Sequence, residues 1–552
     1  MDSINKKKTK NDFLLQGSIL AIASIISRII GLIYRVPLTN IIGDDGNNYY
    51  SSAYDVYNIL LLISSYSLPL AVSKLVAARM SRGERKNAYR IFKGALIFAI
   101  VTGGAAFAIV WFGAGFFTNL LATPQSYLAL KILGPTLLIV AVMGVIRGFF
   151  QGMGTMVPSA LSQIVEQIVN AVVSVGAAYV LFNYGLRIGK VVGNEKEFSE
   201  SYGAAGGTLG TTAGAFVSLL FLTGVFLLFR KGFVSKRSFT SKKRVESYSS
   251  IFAVLIFTIV PVLLSTTVYN ISSIIDQGIF KNLALFQNYS ESDISTWWGI
   301  FTGKYKVLIN VPIAISSAIA ASCVPSITSA LAQKDKEVVH SKIYSALRFV
   351  MIIAFPCTIG LAVLAGPILT LLFGDTRALS ALMIQVGAIS VIFYSISTVS
   401  NAVLQGIDKM SAPVKNALTA LVLHIIALVA IMFVFKIGVF AVVIANAIFA
   451  LIMCVLNSIS IHAYSGYVQE YRYTYLMPLI ASVVMGVCVF ALYRFFMMLC
   501  NINAVSTMLS IIFGAVIYAV TLVKIGGLSE AELKNFPKGE SLVRIFKKVH
   551  LL

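Results

Sequence analysis

Apolar runs long enough to cross a bilayer follow one another from residue 13 to residue 525, and this one feature decides most of what the chain can become. A hydrocarbon core about 30 Å thick takes roughly 20 apolar residues per helix. On that scale the spans read as 13–38, 49–78, 91–117, 126–150, 158–183, 203–230, 249–275, 300–331, 343–371, 378–404, 412–435, 437–463, 474–499 and 503–525. The expectation is an all-α membrane protein of about 14 transmembrane helices. Composition agrees: of 552 residues, 58% are hydrophobic and 12% charged, about half the charged share of a soluble protein. That excludes a soluble globular enzyme, a disordered chain and a disulfide scaffold. Cys323, Cys357, Cys454, Cys488 and Cys500 have no CxxC spacing, and the four histidines show no metal-ligand spacing. No metal, cofactor or disulfide framework is expected.

The charge has a direction. Lys plus Arg number 44 against 22 Asp plus Glu, a net of +22. With a cytoplasmic N-terminus, 31 of the 44 basic residues fall on the cytoplasmic side and 8 outside; the other 5 are Arg28, Arg35, Lys74, Lys304 and Lys306. Basic loops stay inside, so both termini are expected in the cytoplasm, with an even number of spans. The positive charge is then topological, and no nucleic-acid partner is implied. Its densest run, RKGFVSKRSFTSKKR at 230–244, reads as an anchor between two halves, within reach of anionic head groups. The basic N-terminus (Lys6, Lys7, Lys8, Lys10) precedes an apolar run too long for a signal peptide, which is taken as the first retained span.

The sequence also repeats itself. QGMGTMVP at 151–158 returns as QGIDKMSAP at 405–413, LPLAVSKL at 68–75 as VPSITSAL at 324–331, and Tyr89 as Tyr344, at offsets of 254 to 256. An offset that holds six spans implies two copies in the same membrane orientation, related by an axis along the membrane normal. The expected division is an N-terminal six-helix lobe (1–230), a basic cytoplasmic linker (231–248), a second six-helix lobe (249–463), two further helices (464–525) and a basic cytoplasmic tail (526–552). Two such lobes facing each other across a cavity suit a transporter that opens alternately inward and outward.

Charges within spans cost about 2.5–3.5 kcal/mol each on insertion scales, so each needs a reason. Arg28 and Arg35 in SRIIGLIYR lie two turns apart on one face of the first span, with Gly31 between them. They make either an anion site, since guanidinium binds phosphate in a bidentate manner, or a buried ion pair with an acid such as Asp55, Glu166 or Asp276. Lys306 is the deeper of two lysines opening the eighth span and can line a cavity. Lys304 lies closer to the outer interface, where snorkelling is the ordinary fate. Asp276 ends the seventh span as a lysine partner, a cation ligand or an interfacial cap. Glu166 joins Gln163, Gln167 and Asn170 in a polar stripe that is either interhelical glue or cavity lining. Arg147 and Lys74 stand near cytoplasmic span ends and are expected to snorkel. Glu195, Glu197 and Glu200 read as a solvated run beside Lys196, and Asp44 and Asp45 as turn residues beside Gly43 and Gly46. No catalytic constellation emerges, so no enzymatic activity is expected.

Four segments carry a resemblance: SRIIGLIYRVPLTNIIG, the Asn/Tyr/Ser stretch at 47–54, YNILLLISSYSLPLAVSKL and RGFFQGMGTMVPSALSQIVEQIVN. They resemble the polysaccharide-transport branch of the MOP exporter superfamily, and within it the MurJ/SpoVB-like members of Gram-positive bacteria, over essentially the whole chain. The resemblance implies a fourteen-span flippase of the bacterial cytoplasmic membrane, with two six-helix lobes, a cationic central cavity and a lipid-tail groove that the last two spans help form. The implied cargo is an undecaprenyl-pyrophosphate-linked saccharide, foremost the peptidoglycan precursor lipid II, with the cell-wall synthesis machinery as a partner. Ser27 and Arg28 match the family's SR motif, Arg35 fills the place of a second first-span arginine at a slightly shifted position, and Lys306 matches a basic residue early in the eighth span.

Substrate binding is thereby expected of Arg28, Arg35, Lys306 and Lys304. It is also expected of Asn47 and Asn48, which stand near where proteobacterial members carry an acid. Asp276, Glu166 and Asp55 are expected in ion coupling or pairing, with the coupling cation unnamed. A second-span arginine of those members has no counterpart in the apolar Leu60, Leu61 and Leu62. A flippase for a capsule, teichoic-acid or sporulation glycan is the nearest alternative. A cation-coupled drug antiporter is more distant, because the mid-membrane charges lean basic.

Overall fold

The computed structural model describes residues 2–233, 246–257, 259, 271–332 and 335–528. Most of the expected basic linker, the second half of the seventh span and nearly all of the tail lie outside the described residues. The described elements are helices, with no strand among the described residues. In chain order they are α1 (Asp2–Leu61), α2 (Leu68–Met80), α3 (Arg85–Leu120), α4 (Tyr127–Gly152), α5 (Val157–Val192), α6 (Glu195–Phe233) and α7 (Tyr248–Phe257). Then come α8 (Ser272–Phe286), α9 (Glu291–Ile300), α10 (Lys306–Ala332), α11 (Lys336–Val363), α12 (Ala365–Phe373), α13 (Ala378–Gly387) and α14 (Ser390–Gly406). The last four are α15 (Ser411–Phe435), α16 (Phe440–Ser465), α17 (Met477–Cys500) and α18 (Asn503–Lys524).

Twelve described stretches are long and apolar enough to cross a membrane, and the chain is a multi-pass membrane protein. The first stretch, Ile22–Met80, holds two spans, because the backbone leaves helical geometry at Gly43 (φ 71°, ψ −174°). α7 opens the seventh expected span, so the count comes close to the fourteen expected. The sequence suggested a ten-residue loop between the first two spans. A single left-handed residue, the conformation glycine adopts at least cost, makes the turn instead and leaves Asp44 onward helical. A π-helical turn at Leu62–Tyr66 then precedes Pro69. Extra residues of this kind are a common way for a helix to make room.

Two compact units divide the chain, Met1–Gly303 and Lys304–Leu552. The boundary falls well beyond the basic linker because α8 and α9 fold back onto the Gly43 turn. Asn48 donates to Ser295 Oγ at 2.9 Å, Thr296 to Asp45 at 3.1 Å and Thr39 to the Gly303 carbonyl at 3.4 Å. In the first unit Phe92, Phe149, Phe150 and Phe226 form an aromatic core. Gly206, Gly210 and Gly214, four residues apart on α6, let its backbone lie against α5. A Cβ on Gly214 would stand 2.6 Å from the Glu166 carbonyl oxygen, and those on Gly206 and Gly210 would meet Ala177 and Ser174. This is the small-residue packing that brings membrane helices together where no hydrophobic force acts between them.

The sequence repeat has a structural counterpart inside each unit. Gly152, at the end of α4, packs on Ser73 and Val76 of α2; Gly406, at the end of α14, packs on Val324 and Ile327 of α10. An offset of 254 carries Gly152 to Gly406 and Ser73 to Ile327.

Candidate functional site

The polar face of α1 lies along the polar stripe of α5. Ser24 donates to Gln163 Oε1 at 3.3 Å, Gly31 approaches Gln167, and Asn170 donates to the Tyr34 hydroxyl at 3.3 Å. The helical period interleaves Ser27 and Arg28 with these contacts. Arg28 is exposed and makes no ion pair or hydrogen bond among the described residues. Beside it, the buried Ser27 hydroxyl has no hydrogen-bond partner. Arg35 is held differently. Its guanidinium sits 4.6 Å above the Tyr50 ring, a cation–π contact, within a run of tyrosines in which Tyr50 and Tyr54 stand 4.6 Å apart and Tyr54 and Tyr57 5.7 Å.

Two other basic residues in the spans are committed to acids. Arg147 turns inward rather than snorkelling: it bonds Glu166 at 2.7 Å, Ser162 at 2.9 Å and Ser218 at 3.1 Å. α5 and α6 bring a carboxylate and two hydroxyls within its reach. Glu166 is thereby spoken for by α4, not by Arg28. Lys304 does not snorkel either. It is buried in an ion pair with Asp375 at 2.6 Å, and Asp375 also accepts from Arg377 at 2.6 and 2.9 Å and from Ser380 at 2.8 Å. Burial alone would raise the Asp375 pKa, but these donors hold its carboxyl well below the usual carboxylate range. Lys306, two residues further on, is half-buried.

Asn47 and Asn48 are both buried, for different reasons. Asn47 closes the turn, donating to the Gly43 carbonyl at 2.6 Å and accepting from Thr39 at 3.3 Å. Asn48 accepts from Lys281 at 2.6 Å. Lys281 was invisible to sequence reasoning as a buried group. It is fully buried in α8, where its ammonium also bonds Thr123 and Ser52. Desolvation holds its pKa well below the ordinary lysine range, against the pull of Asp55. The Gln277 amide, in the orientation that satisfies its neighbours, accepts from Lys281 at 2.9 Å and donates to Asp55 at 3.3 Å. Asp55 also accepts from Ser273 at 3.1 Å. Asp276 is buried within α8 instead of capping a span. The i, i+4 pair Gln277 and Lys281 on one face of α8 was the available signal.

Next to Lys281 the first unit encloses a cavity of about 440 Å³, lined among others by Asp45, Lys196, Glu197, Glu200 and Ser295. Glu200 corrects the reading of a solvated acidic run: it is 8% exposed. α6 starts far enough back to press it against the Gly43 turn, where it stands 3.2 Å from the place a Cβ on Gly43 would take. The described residues contain no group of three side chains able to hold a metal ion.

Two family models described as "Polysaccharide biosynthesis protein" match residues 14–194 and 294–381. The chain is 26% identical over 499 residues to the lipid II flippase MurJ of Bacillus subtilis (strain 168), covering 86% of this chain and 88% of that protein. It is 25% identical over 419 residues to stage V sporulation protein B of the same organism, covering 74% and 76%. Among solved structures, the fold matches lipid II flippase MurJ in an inward closed conformation with a TM-score of 0.65 at 14% identity, over 91% of this chain and 97% of that one. It matches an inward-facing multidrug resistance MATE family transporter of the MOP superfamily with a TM-score of 0.61 at 15% identity, over 81% and 99%. Family models, relatives and fold point the same way: the chain is similar to the MurJ- and SpoVB-like polysaccharide-transport proteins and shares the fold of solved MOP-superfamily transporters.

Proposed function

We propose that this protein is a flippase that moves a lipid-linked anionic saccharide, lipid II first among them, from the cytoplasmic to the outer leaflet by alternating access. Arg28 is the observation that carries the reading. Arg147 is bonded to Glu166 and Arg35 is stacked on Tyr50, whereas Arg28 has neither an ion pair nor a hydrogen bond among the described residues. An exposed guanidinium on a membrane helix is costly against lipid and is relieved by an anion. Pyrophosphate presents paired oxygens that fit its planar fork. Ser27, with its unsatisfied hydroxyl, supplies a further hydrogen bond, and Arg35 adds positive charge. The relatives named above, a lipid II flippase and a sporulation protein, support the cargo class.

The polyprenyl tail stays in lipid while the head group crosses. No covalent bond changes, so no residue takes a catalytic role. Both termini lie in the cytoplasm on this reading. The membrane potential, about 2.3 kcal/mol per charge per 100 mV, acts on the emptied cationic site and helps reset it.

The test is complementation in a bacterium depleted of its own lipid II flippases, comparing wild type with Arg28→Ala at matched membrane abundance. Rescue by wild type alone is the expected outcome. Rescue by both would remove Arg28 from the site. Failure of well-expressed wild type would replace lipid II with a sporulation or capsule glycan, the reading that the likeness to stage V sporulation protein B favours.

A further inference from the structure

The cavity beside Lys281 holds a carboxylate that no hydrogen bond among the described residues satisfies. Asp45 is bonded to Lys196 at 2.6 Å and accepts from Thr296 at 3.1 Å. Glu197 accepts from Gln125 at 3.0 Å and from Asn194. Glu200, deeper than either, has no hydrogen bond or ion pair among the described residues, and only 8% of its surface is exposed. Its charged neighbours are Asp45, Lys196 and Asp44. Leaving an ionised carboxylate buried without a donor costs several kcal/mol, so such a group is normally matched by something.

The rest of the wall says what would match it. The cavity lining carries four carboxylates, Asp45, Glu197, Glu200 and Glu291, against two ammonium groups, Lys196 and Lys281. Lys281 is spent on Asn48, Ser52 and Thr123, and Lys196 on Asp45. The excess is negative, which disfavours phosphate. No trio of metal-ligating side chains stands among the described residues. About 440 Å³ lies within the range of small-molecule sites and far exceeds what one ion fills. The lining also carries hydroxyls on Ser292, Ser295 and Tyr49 and amides on Asn48, Gln125 and Asn194.

We propose that this cavity binds a small hydroxylated molecule bearing a primary ammonium group, of about amino-sugar size, with Glu200 receiving the ammonium. Three N–H donors meet a carboxylate that has free lone pairs, and the ligand hydroxyls meet the serines and Tyr49. The site is separate from Arg28, and the count of basic residues puts it on the outer side of the membrane. It does not depend on the flippase reading.

The experiment is calorimetric titration of the full-length protein in nanodiscs with D-glucosamine, and with N-acetylglucosamine, which keeps the ring and removes the charge. Saturable glucosamine binding in the millimolar range is expected, at least about tenfold tighter than N-acetylglucosamine. Glu200→Gln, which conserves shape, should weaken glucosamine by at least about tenfold. Glu195→Gln, exposed on the same helix and outside the cavity lining, should leave it unchanged. Methylammonium should compete on the wild-type protein where sodium at the same ionic strength does not, a readout that needs no variant. Equal binding of the two sugars, undiminished binding by Glu200→Gln, or no binding at all would each overturn the proposal; the last would leave a proton as the only partner of Glu200.

Discussion

Lys304 and Arg28 are both basic and both lie in membrane helices, yet one rests on Asp375 at 2.6 Å and the other has no acid against it. Asp375 holds three side chains at once, so Asp375→Asn removes the charge that Lys304 and Arg377 face. Breaking a buried pair from one side costs about 3–5 kcal/mol, and denaturant unfolding in detergent should show a loss of that order. The pH dependence follows from the sign of the shift. A carboxyl held below its unfolded pKa of about 3.9 stabilises fully above that value and loses the contribution as pH falls further. The stability gap between wild type and Asp375→Asn should therefore narrow below about pH 4, read by thermal unfolding across pH. The spacing of Arg28 and Arg35 was legible because a shared helix face needs no knowledge of a partner. Lys304 was misread because its acid lies 71 residues away. Lys281 was missed because its bonds go back to residues 48, 52 and 123.

Helices were the easiest elements to anticipate, since long apolar runs leave little else to form. The contacts between them were harder. Gly214 sits where α6 touches the α5 backbone, whereas a Cβ on Gly224 would meet nothing within 4 Å. Overpacking costs about 1–3 kcal/mol or more, so Gly214→Leu should lower the thermal unfolding midpoint in detergent while Gly224→Ala leaves it in place. Composition could not separate these two glycines, because both lie in the same helix at ordinary spacing. The turn at Gly43 was mislocated for a related reason. Asp44, Asp45, Asn47 and Asn48 look like loop residues, but Asn47 folds back on the Gly43 carbonyl and the helix resumes beneath it. The π-helical turn at Leu62–Tyr66 leaves no mark in hydropathy at all.

At the scale of the whole molecule, the duplication was legible as words repeated at a fixed offset, and the same glycine contact recurs in each unit at Gly152 and Gly406. The orientation expected from basic loops is testable with single reporter cysteines in a background lacking the five native ones. Ser3→Cys should react with a membrane-impermeant thiol reagent only after the cells are opened, and Glu195→Cys in intact cells; the reverse pattern would invert the topology. Where the first unit ends was not legible, because α8 and α9 follow the basic linker in sequence but complete the unit that precedes it. That arrangement has a consequence for biosynthesis. Asn48 leaves the ribosome 233 residues ahead of Lys281, the lysine it will hold. At roughly 5–20 residues per second, that is a wait of about 10–50 s. Until Lys281 arrives, Asn48, Ser52 and, once made, Thr123 lack the ammonium they finally share, so the nascent first half must keep this corner in contact with water or with the insertion machinery until the second half begins to arrive.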